Sequence, residues 1–251
     1  MINFDQVGLN FGETRIIENL SFSIKEGEFC CVLGPSGCGK STTLRLMGDL
    51  LKGYTGKITV SGRPPTECWQ KMAYVFQNPR LLPWKNALDN AAFGLEMRFP
   101  KMGQAERNEI AFEQLKKVGL ADDVKKMPLM LSGGERQRVS LARALSLKPE
   151  IILMDEPFSA LDPNTRRVLR FQLVQLWKDI GMTIIFVTHD IEEALELGDR
   201  VIVLGTRPSK VEKIIRPKEK RPREVDMCKE LRDIKKDLIK LFENLAKTKV
   251  N

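Results

Sequence analysis

Five short apolar runs punctuate the chain, at 29–33, 72–76, 151–154, 183–187 and 201–204. Each reads as a buried strand. Between them apolar residues recur three and four apart. Ala87, Leu88, Ala91 and Leu95 make one such face, and Ile110, Leu115 and Val118 continue the pattern. Val139, Leu141, Ala142 and Leu145 make another, and Leu169, Leu173, Leu176 and Trp177 a further one. Residues 57–62 alternate with period two, as a half-buried strand does. Residues 1–33 look strand-rich, with a turn at 25–28 and Phe11-Gly12 in a loop. Strand runs alternating with helical periods predict an α/β fold. The helical stretch at 85–127 predicts a subdomain between strands. Beyond residue 205, Pro208, Pro217 and Pro222 predict irregular chain. Leu231, Ile234, Leu238, Leu241 and Leu245 then predict an amphipathic helix that either covers its own domain or serves a regulatory, partner or membrane-surface role.

Composition narrows the class. No apolar run approaches the ~18 residues that cross a bilayer, and the N-terminus has no basic stretch ahead of an apolar one. A soluble, cytoplasmic protein is expected. Five cysteines at irregular spacing give neither a disulfide framework nor a zinc pattern, so reduced thiols are expected. The net charge is +8, but residues 216–251 hold 12 Lys and Arg against 7 Asp and Glu. The body is only mildly basic, and no nucleic-acid partner is expected.

Residues 34–42 carry the clearest chemistry: Gly34-Pro35-Ser36-Gly37-Cys38-Gly39-Lys40-Ser41-Thr42. This is G-x-x-x-x-G-K-[ST] between an apolar strand and a helix. Glycines let successive N–H groups turn inward around a phosphate, and the helix adds the positive end of its dipole. Lys40 should reach the β- and γ-phosphates, and the Ser41 hydroxyl should bind Mg²⁺. Cys38, beside Lys40 and a helix N-terminus, is expected to favour the thiolate.

Further candidates lie at strand ends, where open α/β sheets place their chemistry. Asp155 and Glu156 end the run at 151–154. Side chains alternate across a strand, so the two should split roles. Asp155 suits Mg²⁺ and Glu156 suits activation of an attacking water. Gln77 follows the run at 72–76, and His189, the sole histidine, follows that at 183–187. Ser132-Gly133-Gly134 opens a helix, either as a plain cap or as a second anion site. Phe11 is either a stacking platform for a base or a core residue at a strand end. Leu81, Leu82 and Trp84 flank Pro83 on a loop and either mark a contact surface or tuck into the domain.

In order and spacing these pieces resemble the ATP-binding cassette (ABC) ATPases over residues 1–205. Residues 34–42 look like Walker A, Gln77 like the Q-loop, and 131–135 like the signature, with Glu135 where Gln is commonest. Residues 151–156 look like Walker B with its glutamate, 159–162 like the D-loop, and His189 like the switch histidine. Asp49 and Tyr54 depart from the family's usual residues. The resemblance implies a RecA-like P-loop NTPase core with a small antiparallel β-subdomain and a helical subdomain at about 85–145. A basic, amphipathic appendix would fill 206–251. Implied ligands are ATP, on Phe11, 34–42, Ser132, Gly133, Gly134 and Asp162, and Mg²⁺, on Ser41, Gln77 and Asp155. Glu156, His189 and Gln77 would be catalytic. A head-to-tail homodimer would place Ser132, Gly133 and Gly134 on the γ-phosphate in trans.

The stretches 76–84 and 155–162 look like importer ATPases for nitrate, sulfonates and taurine. That implies transmembrane permease subunits, a separate solute-binding protein and attachment to the cytoplasmic face of the membrane. The competing expectation is an ABC ATPase acting on ribosomes or DNA. Such relatives carry a second cassette or a long coiled coil, and this chain shows neither.

Overall fold

The computed structural model describes residues 1–247. In chain order its first elements are β1 (Ile2–Phe11), β2 (Thr14–Ile24), β3 (Phe29–Leu33), α1 (Lys40–Met47), β4 (Thr55–Val60) and β5 (Met72–Val75). Then come α2 (Ala87–Arg98), α3 (Gln104–Lys117), α4 (Gly133–Ser146), β6 (Ile151–Asp155), α5 (Pro163–Ile180) and β7 (Thr183–Thr188). The last are α6 (Ile191–Leu197), β8 (Arg200–Leu204), β9 (Val211–Ile215) and α7 (Lys229–Lys247). The chain divides into two compact units. One joins residues 1–70 to 181–247, and the other is 71–180.

The first unit holds two sheets. In one, β1 lies between β2 and β4, antiparallel to both, with Ile2 opposite Ile24 on one side and Val60 on the other. Ile2, Ile24 and Val60 are fully buried, and the Phe4 and Phe22 rings stack 4.6 Å apart. In the other sheet, β3 lies parallel to both β7 and β8, and β9 runs antiparallel to β8. All five residues of β3 are buried. That fits a parallel strand covered on both faces and explains its unbroken apolar run.

Two expectations about this unit are corrected. Phe11 ends β1 rather than sitting in a loop, because it pairs with Thr14 across the turn. The chain after 205 is not irregular at first, because residues 211–215 form β9. Pro208 and Pro217 lie outside those five residues, so no ladder N–H is lost, and Val211, Ile214 and Ile215 suit a pleated strand.

In the second unit β5 and β6 are parallel, with Met72 opposite Ile151 and Val75 opposite Met154. Helices α2, α3 and α4 pack on one another. Asn86 caps α2, its side chain accepting the Asp89 N–H at 2.8 Å. Asn90, fully buried on α2, accepts the Leu82 N–H at 2.7 Å and donates to the Leu82 carbonyl at 3.1 Å and the Lys85 carbonyl at 2.7 Å. Arg143 of α4 donates to the carbonyls of Pro79 at 2.6 Å and Arg80 at 3.0 Å. The loop between β5 and α2 is thereby fixed at both ends. Among the described residues no helix is long and apolar enough to cross a membrane.

Candidate functional site

The sequence-predicted site residues fall in two groups, one on each unit. On the first unit, β3 and β7 are adjacent and parallel, with Leu33 opposite Thr188. The phosphate loop leaves the C-terminal end of β3, and His189 leaves the same end of β7. The loop is held tightly. A Cβ on Gly34 would come within 2.8 Å of the Cys38 sulfur and of the Leu204 carbonyl, so only glycine fits there. Gly39 has φ of +109° and starts α1 without any side-chain cap. The first amides of α1 therefore face the loop, as an anion site requires. Lys40 is buried, and its Nζ donates to the carbonyls of Gly34 at 2.9 Å and Pro35 at 3.0 Å. The ammonium thus lies across the loop, where it can meet a phosphate. Ser36 and Gly37 are exposed, and Pro35, Ser41 and Thr42 are half-buried.

Cys38 overturns its expectation. It is almost fully buried, and burial pushes its thiol up against the opposing pull of the Lys40 ammonium. The thiol, not the thiolate, is the resting form. Phe11 is half exposed at the end of β1, so it is not a core residue and its face is available. His189 is exposed between Thr188 and Asp190.

On the second unit, Gln77 and Glu156 leave the same ends of the parallel pair β5 and β6. They are joined through Ser159. Gln77 Nε2 donates to Ser159 Oγ at 3.0 Å, and Ser159 Oγ donates to the Glu156 carbonyl at 3.0 Å. Asp155 is buried and accepts a hydrogen bond from the Tyr74 hydroxyl at 3.3 Å. Glu156 has φ of +43°, a left-handed conformation that is uncommon outside glycine and concentrates at functional sites. Asp162 accepts the Thr165 N–H in the first turn of α5 at 3.0 Å, and hydrogen bonding from the Thr165 side chain and then from that N–H holds its carboxyl below the usual range.

Ser132 caps α4 in a reciprocal box. Its Oγ accepts the Glu135 N–H at 3.2 Å, while Glu135 Oε2 accepts the Ser132 N–H at 2.6 Å. Ser132 and Gly133 are exposed. Gly134 is buried, and a Cβ there would come within 2.6 Å of the Thr165 methyl. The cap is therefore present, and Ser132 and Gly133 lie at the surface.

Sequence reasoning passed over three contributors. Ser159 links Gln77 to Glu156, and Tyr74 holds Asp155. Ser209 is fully buried and donates to the Cys38 carbonyl within the phosphate loop. Ser159 lay inside a recognised motif. Tyr74 and Ser209 carried no signal, since their partners lie 81 and 171 residues away.

A buried strand, a glycine-forced loop and a lysine folded across it define a P-loop nucleotide-binding protein. Residues 17–159 match the family described as ABC transporter. The chain is 41% identical over 212 residues to the nitrate import ATP-binding protein NrtD of Synechococcus elongatus, covering 83% of this chain and 77% of that one. It is 40% identical over 220 residues to the bicarbonate transport ATP-binding protein CmpD of Synechocystis, covering 87% and 78%. It is 39% identical over 211 residues to the taurine import ATP-binding protein TauB of Escherichia coli O157:H7, covering 84% and 82%. Among solved structures, the dimeric ATP-binding cassette MJ0796 bound to ADP and Pi superposes with a TM-score of 0.77 at 34% identity, covering 88% of this chain and 100% of that one. The chain belongs to the ABC transporter family and has the fold of its ATPase cassettes: a RecA-like core, the antiparallel sheet of β1, β2 and β4, and the helices α2 to α4. It is an ATP-binding ATPase of that family.

Proposed function

We propose that this chain is the ATP-hydrolysing subunit of an ABC importer and energises uptake of a small anionic solute. Nitrate, bicarbonate, a sulfonate or taurine are the solutes that its relatives' names and the residues at 76–84 favour. The permease and the solute-binding protein are separate chains, and the permease holds this subunit at the cytoplasmic face of the membrane. Residues 1–205 act as the cassette, with a helical subdomain at about 85–145 and an appendix from 206. The observation that carries the reading is Glu156, set at a strand end with φ of +43° and tied through Ser159 to Gln77.

Phosphoryl transfer requires positioning and charge stabilisation rather than covalent help. Phe11 stacks on the base. The amides of 34–42 and the Lys40 ammonium hold the β- and γ-phosphates, and His189 contacts the γ-phosphate. The partner subunit's Ser132, the partner subunit's Gly133 and the partner subunit's Gly134 close the far side, with the partner subunit's Asp162 nearby. Glu156 polarises a water whose oxygen bonds to the γ-phosphorus as the bond to the β–γ bridging oxygen breaks. The products are ADP and inorganic phosphate.

Ser41, Asp155 and Gln77 are an all-oxygen donor set of the kind Mg²⁺ prefers, one carboxylate completed by phosphates. Gln77 uses its amide nitrogen on Ser159, so its amide oxygen is the atom that would meet the ion. When bound, Mg²⁺ neutralises charge on the phosphate oxygens.

Glu156→Gln keeps the shape and removes the base. Turnover should fall by about 10²-fold or more, the usual scale for a positioned base, while ATP still binds. On size exclusion the 28.6 kDa variant should shift to a dimer with ATP and return to monomer with ADP. Wild-type turnover, or a monomer at saturating ATP, would show that the base or the dimer is misassigned.

A further inference from the structure

The chain after β9 grips a single short helix, and that helix starts two residues beyond His189. Arg223 is buried, and its Nη1 donates to the carbonyls of Leu195 at 3.1 Å and Gly198 at 2.6 Å. Arg221 Nη1 donates to the Leu197 carbonyl at 2.6 Å, and its other amino group pairs with Asp199. These carbonyls are the C-terminal end of α6, where orphan acceptors and the negative end of the helix dipole call for cations. At the opposite end, Lys235 of α7 donates to Glu192 Oε1 at 2.5 Å. Leu231 and Leu238, fully buried, seat α7.

Helix α6 has only seven residues. A helix that short does not hold itself, so its place is set by whatever grips it. Its first turn in turn sets both neighbours of His189. Thr188 Oγ1 donates to Glu193 Oε2 at 2.6 Å and accepts the Asp190 N–H at 3.0 Å. Asp190 Oδ1 accepts the N–H groups of Glu192 at 2.9 Å and Glu193 at 3.2 Å.

We propose that residues 221–238 are a positioning arm for His189: held at both ends by this arm, α6 fixes the turn that presents the imidazole to the γ-phosphate. This rests on the reading of His189 as the γ-phosphate contact. Arg223 and Lys235 are positioning residues that act through α6. Neither lies in the phosphate loop, so loosening them should slow the step that needs His189 and leave the nucleotide's grip on 34–42 intact.

The test uses the purified full chain and two substitutions. Arg223→Lys keeps the charge but loses the fork that spans two carbonyls. Lys235→Glu sets like charge against Glu192 and Asp226 at a partly exposed site. For each, kcat should fall about 3- to 30-fold, the range for residues acting through a packed neighbour. KM for MgATP should stay within about two-fold, the mark of an interaction made in the transition state alone. Neither substitution should lower kcat further in a His189→Ala background, since residues acting as one unit are not additive. Should Arg223→Lys fail to fold, Lys235→Glu carries the same comparisons.

The proposal is overturned if kcat is unchanged in the folded variants. It is also overturned if KM alone rises, or if the full loss persists without His189. If His189→Ala alone leaves kcat at the wild-type value, the reading of His189 has failed and the arm's role falls with it. That outcome is visible before any arm residue is changed.

Discussion

Cys38 shows how one side chain's chemistry is decided by its surroundings. Its neighbours in sequence, Lys40 and a helix start, both favour the thiolate. Its neighbours in space win, because it is nearly sealed from water and burial raises its pKa. The Lys40 ammonium is also engaged with the Gly34 and Pro35 carbonyls. At neutral pH a maleimide should label the half-buried Cys228 first and leave Cys38 at under about a tenth of its rate, as expected for an inert, buried thiol. Peptide mass spectrometry over a time course checks this. Rapid labelling of Cys38, blocked by MgATP, would restore the thiolate. The phosphate loop itself was legible because its residue types are dictated by backbone geometry. The ionisation of Cys38 was not, since it depends on burial in the folded chain rather than on its sequence neighbours.

Among the elements, α4 carries a pH dependence of definite sign. The Ser132 N–H bonded to Glu135 holds that carboxyl below its ordinary 4.5. A depressed folded value means the box stabilises fully above about 4.5 and loses that contribution as pH falls through the folded pKa. Glu135→Gln keeps an acceptor without a titrating group. Above about pH 6 the two proteins should melt within ~1–2 °C of each other, because the carboxylate is partly exposed and screened. Below pH 4.5 the wild type should lose more stability than the variant. Thermal melts across that range decide it, and parallel pH profiles would remove the box as their source. Most elements were readable from the period of their apolar residues, as Leu169 and Leu173 of α5 illustrate. Strand β9 was obscured because two prolines flank it, although neither interrupts its pairing.

For the whole molecule, Trp84 is a large aromatic residue that the chain's own fold leaves mostly uncovered. Its side chain is 71% exposed, on a loop that Asn90 and Arg143 hold in place. Trp84→Ala should leave the melting temperature within ~1–2 °C, as surface changes do, and keep the isolated subunit's ATPase. Solute uptake by vesicles carrying the complete importer should be lost if this loop meets the permease. A large loss of stability in the isolated subunit would instead place Trp84 in the domain's own packing. The two-unit division was not legible, because strand pairing across long separations leaves no periodic trace. It has a consequence during synthesis. Strand β3 pairs only with β7 and β8 among the described strands, and Phe29 waits for Ile184, 155 residues later. At ribosomal speeds of about 5–20 residues per second, that wait lasts roughly 8 to 30 s. For that interval the nascent chain carries an unpaired Phe-Cys-Cys-Val-Leu segment ahead of the phosphate loop. Shielding of that one strand, by a chaperone or by the ribosome itself, is therefore expected to govern the yield of folded protein more than the stability of the finished molecule.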